Sequence, residues 1–210
     1  MDIMEIINFL ARWGHLLFGM TWIGLLYYFN FIQGGYFKQA TPEALADAKK
    51  HLAPAALWWF RWGAMFTLLT GLVLLMGVTK MNVLNDYIIV GAVMGTLMFL
   101  NVWLIIWPNQ KIALGMVEGD GPAAGAKALL ASRTNTLFSG PMAFFMMAGP
   151  HFGGYGLGWG STAMWVALAI VAVLEVNAIV GKQGTMTTVK GVITSSLVLT
   201  AVLVAVLKLV

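Results

Sequence analysis

The chain has 210 residues, 60% hydrophobic and only 10% charged, with a mean hydropathy of +0.85. A soluble domain averages about 45–50% apolar and roughly 25% charged residues, so the excess here must face something other than water. Twelve Lys and Arg against eight Asp and Glu give a formal charge of +4, better explained by cytoplasmic loops than by nucleic acid, and the lack of cysteine excludes disulfides, thiolate metal sites, iron–sulfur clusters and covalent c-type haem.

The predicted fold is all-α: a polytopic transmembrane helix bundle of about six spans that uses nearly the whole chain. Each span needs roughly 20 residues to cross a hydrocarbon core of about 30 Å. The first, about 6–32, is too long for a secretory signal core and has no basic segment before it, so it reads as a retained helix. Thr41 can then cap a helix with Pro42 at its first position and Glu43 in its first turn, predicting a short loop helix over about 44–51. The second span covers about 56–78 and the third about 87–107, stopped by Pro108. Residues 119–135 read as a loop with a small helix after Pro122. The fourth span, about 137–152, is short, with Pro141 and Pro150 blurring its ends. A glycine-rich connection, about 153–160, leads to the fifth span, about 161–180, and the sixth, about 189–207.

Basic loops are retained on the cytoplasmic side. The first, third and fifth connections with their adjoining helix ends hold Lys38, Lys49, Lys50, Arg61, Lys111, Lys127, Arg133, Lys182 and Lys190, against Lys80 and Lys208 on the other side. Both termini are therefore predicted to be periplasmic, in a bacterial inner membrane. Trp58, Trp59, Trp107 and Trp159 fall near span ends, where amphipathic rings sit in the interface.

Ionisable groups inside spans are costly, so they usually face the bundle interior and mark a partner, a cofactor or a pathway. Arg12, His15, Arg61 and Glu175 are the candidates. Arg61 and Glu175 both sit about 8 Å from the cytoplasmic ends of their spans, which predicts a structural ion pair or, as the sharper reading, a proton path. Arg12 and His15 share a helix face, and Gly19 one turn on leaves room beside the imidazole for a flat ligand. That face suits a b-type haem, with imidazole to iron and guanidinium to a propionate. The plainer reading is a His bonded to a neighbouring helix, with Arg12 snorkelling to the interface.

His51, beside Lys49 and Lys50, reads as solvated. His151 closes the fourth span on the same side as His15 and is the candidate second iron ligand, although His15 lies about 13 Å inside its span; Met147 is a deeper alternative. Met142, Met146 and Met147 could hold copper, but Met in an apolar helix is usually packing. Asn30, Asn101, Asn177, Thr67 and Thr70 are candidates for bonds between helices, and Gly91 with Gly95 forms a small-residue packing face.

The run Arg12-Trp13-Gly14-His15, followed by residues 19–31 from Gly19-Met20-Thr21-Trp22 to Phe29-Asn30-Phe31, resembles the opening helix of the membrane domain of bacterial cytochrome-linked urate oxidases. Ile106-Trp107-Pro108-Asn109-Gln110-Lys111, and Gly140-Pro141-Met142 through Met146-Met147 to His151, fit the same family. The His followed by Trp-x-Gly is also loosely similar to copper-resistance membrane proteins and haem-binding membrane protoporphyrinogen oxidases. The family resemblance implies a membrane redox unit that passes electrons from urate to a periplasmic c-type cytochrome domain after the last span. With no cysteine and an end at Val210, the expectation is either a separate cytochrome acceptor or a role as a haem-carrying or purely structural subunit of a larger membrane complex.

The leading expectation is thus a haem b electron-transfer protein with His15, His151 or Met147, Arg12 and Gly19 at the cofactor. If it is catalytic, it is an oxidoreductase acting on urate or a similar purine. The competing expectation is a cofactor-free accessory subunit of a larger respiratory or photosynthetic membrane complex, and a copper or other ion transporter is third.

Overall fold

The computed structural model describes residues 2–152 and 160–209, and the described part is made of helices joined by short connections, without strands. Six long helices carry it: α1 Ile3–Gln39, α2 Pro42–Lys80, α3 Asp86–Ala113, α4 Gly121–Phe152, α5 Thr162–Val180 and α6 Val189–Leu209. All except α4 are long and apolar enough to cross a membrane. Trp159 and most of the glycine-rich connection lie outside the described residues.

The helices begin where the capping chemistry places them. The Glu5 carboxylate accepts from the Asp2 backbone N–H at 3.0 Å, Thr41 Oγ1 accepts from Ala44 N at 3.3 Å and Asn85 Oδ1 from Ile88 N at 3.2 Å. Asp120 Oδ1 and Ser161 Oγ do the same for α4 and α5, each at 3.0 Å. The Thr41 cap and Pro42 were legible in sequence, but the helix they open does not stop in the loop. It continues through a π-helical turn at Ala48–Leu52 into the second span.

Pro108 does not end α3. A π-helical turn, Asn101–Ile106, lies immediately before it, and Asn109 Nδ2 donates back to the Ile105 carbonyl at 2.8 Å. The widened turn takes up the backbone mismatch that proline's missing N–H creates. The helix stops at Gly115, whose φ of 74° places it in the left-handed region. Gly115 N–H bonds to the Ile112 carbonyl at 3.0 Å and Met116 N–H to that of Lys111 at 2.8 Å, closing a Schellman cap.

The largest departure from the sequence reading is α4. It starts at Gly121 and runs unbroken for 32 residues, so all of 119–135 from Gly121 on is helix and not loop, and Pro141 and Pro150 lie inside that helix. Its hydropathy misleads because its surroundings are other helices. Residues 131–139 are buried without interruption, including Ser132, Arg133, Thr134, Asn135, Thr136 and Ser139. Proline is tolerated inside such a helix because packed neighbours can satisfy the freed backbone groups.

α1 and α2 form an antiparallel hairpin seated on glycines. A Cβ on Gly14 would lie 3.5 Å from Thr70, and one on Gly63 would lie 3.2 Å from the Trp22 backbone nitrogen. α3 runs antiparallel to α4, with Gly91 against the Met146 nitrogen and Phe145 Cβ, and Asn85 Nδ2 donating to the Gly149 carbonyl at 3.1 Å. α5 runs parallel to α3, tied at one end by Gly160 N–H to Asp86 Oδ1 at 3.0 Å and further along by Asn101 to Glu175. Residues 2 and 209 therefore lie at one end of the bundle, and Lys38, Lys49, Lys50, Lys111, Lys127, Lys182 and Lys190 gather toward the other.

The two glycines of the α3 packing face are not equivalent. A Cβ at Gly91 would meet α4 backbone at 3.2 Å, whereas one at Gly95 would meet only Met142 Cγ at 3.8 Å. Gly91→Leu is expected to destabilise the protein by about 1–3 kcal/mol through overpacking, and Gly95→Ala to leave it near wild type, as read by thermal melting in detergent.

Candidate functional site

His15 stands on α1 facing α2. Its Nδ1 is 2.9 Å from the Thr67 carbonyl and 3.2 Å from Thr70 Oγ1. A carbonyl only accepts, so Nδ1 carries the hydrogen, and in the neutral ring the lone pair sits on Nε2. Nε2 has no hydrogen-bond partner among the described residues. Backbone anchoring of one ring nitrogen is the arrangement that orients a histidine for metal through the other.

The ring lies against Gly71, where a Cβ would come within 3.0 Å of His15 Cε1. Gly71 thus makes room for the imidazole, a role invisible without knowing which helix packs on α1. Gly19 opens toward the same helix, a Cβ there meeting only Thr67 Cγ2 at 4.0 Å. Arg12 is exposed one turn before His15. His151 and Met147 are exposed on α4, whose hydrogen bonds to α1 lie elsewhere, from Tyr27 to Ser139 at 2.9 Å and from Asn30 to Ser132 at 2.8 Å. No cluster of three or more His, Cys, Asp or Glu suited to a metal ion occurs among the described residues. For a haem, the free Nε2 is a nitrogen that could hold the iron, and among the described residues no hydrogen bond links His151 to His15.

The expected ion pair between Arg61 and Glu175 does not form. Arg61 stacks on the Trp107 indole with Cζ 3.8 Å from the ring centroid, and Glu175 Oε2 instead accepts from Asn101 Nδ2 at 3.2 Å. Equal depth in the membrane did not imply the same side of the bundle. The only carboxylate contact to a basic side chain within 4.0 Å among the described residues is His51 with Asp47 at 3.9 Å, both exposed, and it is an ion pair only when the imidazole is protonated.

Asn101, Glu175 and Asn135 form a buried polar cluster. Asn101 Nδ2 also donates to Asn135 Oδ1 at 2.9 Å, and Asn135 Nδ2 donates to the Met98 carbonyl at 2.9 Å. Asn101 was legible as a residue bonding between helices, as were Asn30 and Thr70. Asn135 was missed because its helix was read as a loop. Arg133, counted with the loop cations, is buried in α4 with Nε and Nη1 unpartnered. Asn177 bonds locally to Lys182 at the end of α5, and Met142 packs on Gly95.

Residues 81–209 match the family described as urate oxidase N-terminal. The matched stretch holds α3 to α6, including Asn101, Trp107, Lys111, Asn135 and Glu175; α1 and α2 lie outside it. No curated protein matches the chain, and no solved structure does.

Asn135→Leu would leave the Met98 carbonyl and the Asn101 amide short of a partner. It is expected to cost about 1–3 kcal/mol, read as an early melting transition in detergent. Glu175→Gln, which keeps an acceptor for Asn101, is expected to melt close to wild type.

Proposed function

From the chain's membership of the urate oxidase N-terminal family, we propose that it is a membrane redox subunit that holds a b-type haem through His15 and passes electrons to a separate periplasmic c-type cytochrome or to a larger membrane complex. The observation that carries this reading is the His15 geometry, with Nδ1 bonded to the Thr67 carbonyl and Nε2 free. When bound, haem supplies a one-electron couple; its potential is set by the axial ligands and the polarity around them. The chain's contribution is to hold the ring. Thr67 and Thr70 fix its tautomer, Gly71 admits it, and in this reading Arg12, exposed one turn away, would meet a propionate.

His151 and Met147 are the proposed sources of the second ligand, and both lie on α4 toward the end of the bundle that holds the termini. That end is the periplasmic one in this reading, because the basic end belongs on the cytoplasmic side of a bacterial inner membrane. A urate-like purine is the substrate that the family relationship points to. A cofactor-free accessory subunit is the second reading, favoured by the same two hydrogen bonds, which satisfy Nδ1 without iron.

The deciding experiment is a dithionite-reduced minus air-oxidised visible spectrum of detergent-purified protein expressed with haem supply, with pyridine haemochrome quantification. A stoichiometric b-type signal that His15→Ala abolishes and His151→Ala or Met147→Ala alters is the expected result. Full haem content in His15→Ala moves the ligand elsewhere. Absence of a Soret band from the wild type leaves the accessory reading.

A further inference from the structure

Five tryptophans gather near the basic end. Trp58 and Trp59 meet with ring centroids 5.1 Å apart, Trp58 and Trp62 at 6.3 Å, and Trp62 and Trp103 at 5.7 Å; Trp107 completes the group under Arg61. Clustered tryptophan marks the level where bilayer meets water. Two cations converge on one ring of this group: Arg61 Cζ lies 3.8 Å and Lys111 Nζ 5.5 Å from the Trp107 centroid.

No carboxylate answers them. Neither cation is in an ion pair among the described residues, and Arg61 Nη1 and Trp103 Nε1 are buried beneath the surface without a partner. Below this cluster, toward the middle of the bundle, the surface turns apolar, with exposed Leu100 and Leu104 on α3 and exposed Phe66 and Leu69 on α2. Leu100, Leu104, Trp107 and Lys111 follow one another at helical spacing. A cationic head position thus continues into an apolar track along the same two helices. Water or a soluble anion would leave that track unused.

The geometry points to a binding site for an anionic phospholipid between α2 and α3, its phosphate beside Arg61 and Lys111 and its acyl chain along Leu104 and Leu100. Two positive charges without counter-charge favour an anionic head group over a zwitterionic one, each being worth about fivefold in affinity near an anionic surface. The site stands apart from His15 and holds whether or not the protein carries haem.

The test is native mass spectrometry of the purified chain exchanged into phosphatidylglycerol and phosphatidylcholine of identical acyl chains. Wild type is expected to retain phosphatidylglycerol at least about fivefold over phosphatidylcholine. Arg61→Gln with Lys111→Gln is expected to abolish the preference, and Lys182→Gln, which removes the same charge away from Trp107, to preserve it. If the double variant does not fold, Lys111→Gln alone decides, with an expected loss of about fivefold. Equal retention of the two lipids by wild type, or an unchanged preference in folded variants, overturns the proposal. Displacement of the lipid by excess inorganic phosphate overturns it too, since it would make this a soluble-anion site.

Discussion

Everything in the bundle is arranged around polar groups that cannot be left facing hydrocarbon. An amide in a bilayer core has no water to fall back on, so a helix carrying several of them must be surrounded by partners. α4 is that helix. Ser132, Asn135 and Ser139 take bonds to α1 and α3, and through Asn101 the network extends to Glu175 on α5. Once those partners are required, α4 must lie inside, and the more apolar helices are left to face lipid.

The same constraint sorts what could be read from the sequence. α1, α2, α3, α5 and α6 are legible because lipid selects apolar residues over most of their surface. α4 was only half legible: the apolar half, from Leu137 onward, was identified as a span, while the run Ser132-Arg133-Thr134-Asn135-Thr136 resembles loop composition. Its partners are separated from it by 34 to 112 residues in the chain, and hydropathy in a local window has no access to them. Pro108 failed as a stop for a related reason, since a proline ends a helix only where the backbone cannot adjust, and the π-helical turn before it does adjust.

The candidate site divides similarly. Residue type and spacing sufficed to single out His15, Arg12 and Gly19, and a bond from His15 to a neighbouring helix was one of the readings they left open. They could not say which helix, nor that Nδ1 would be the bonded nitrogen, nor that Gly71 would lie under the ring. Arg61 and Glu175 show the limit of depth arguments. Rise along a helix fixes height in the membrane, but the angle around the bundle depends on tertiary packing, and there the two residues part company for Trp107 and Asn101.

The two ties between α3 and α5 have a mechanical consequence. Asp86 with Gly160 and Asn101 with Glu175 each join residues 74 apart in the chain, so the two helices are pinned in one register at two heights. A slip of one residue, about 1.5 Å, would strain both ties at once. The α1–α2 hairpin has glycine and threonine contacts at its inner seam and reaches α4 through only a few hydrogen bonds. His15 and the groups that hold it, Thr67, Thr70 and Gly71, all belong to the hairpin, so any displacement of the hairpin as a unit would carry the ring along with its anchors instead of pulling it from them.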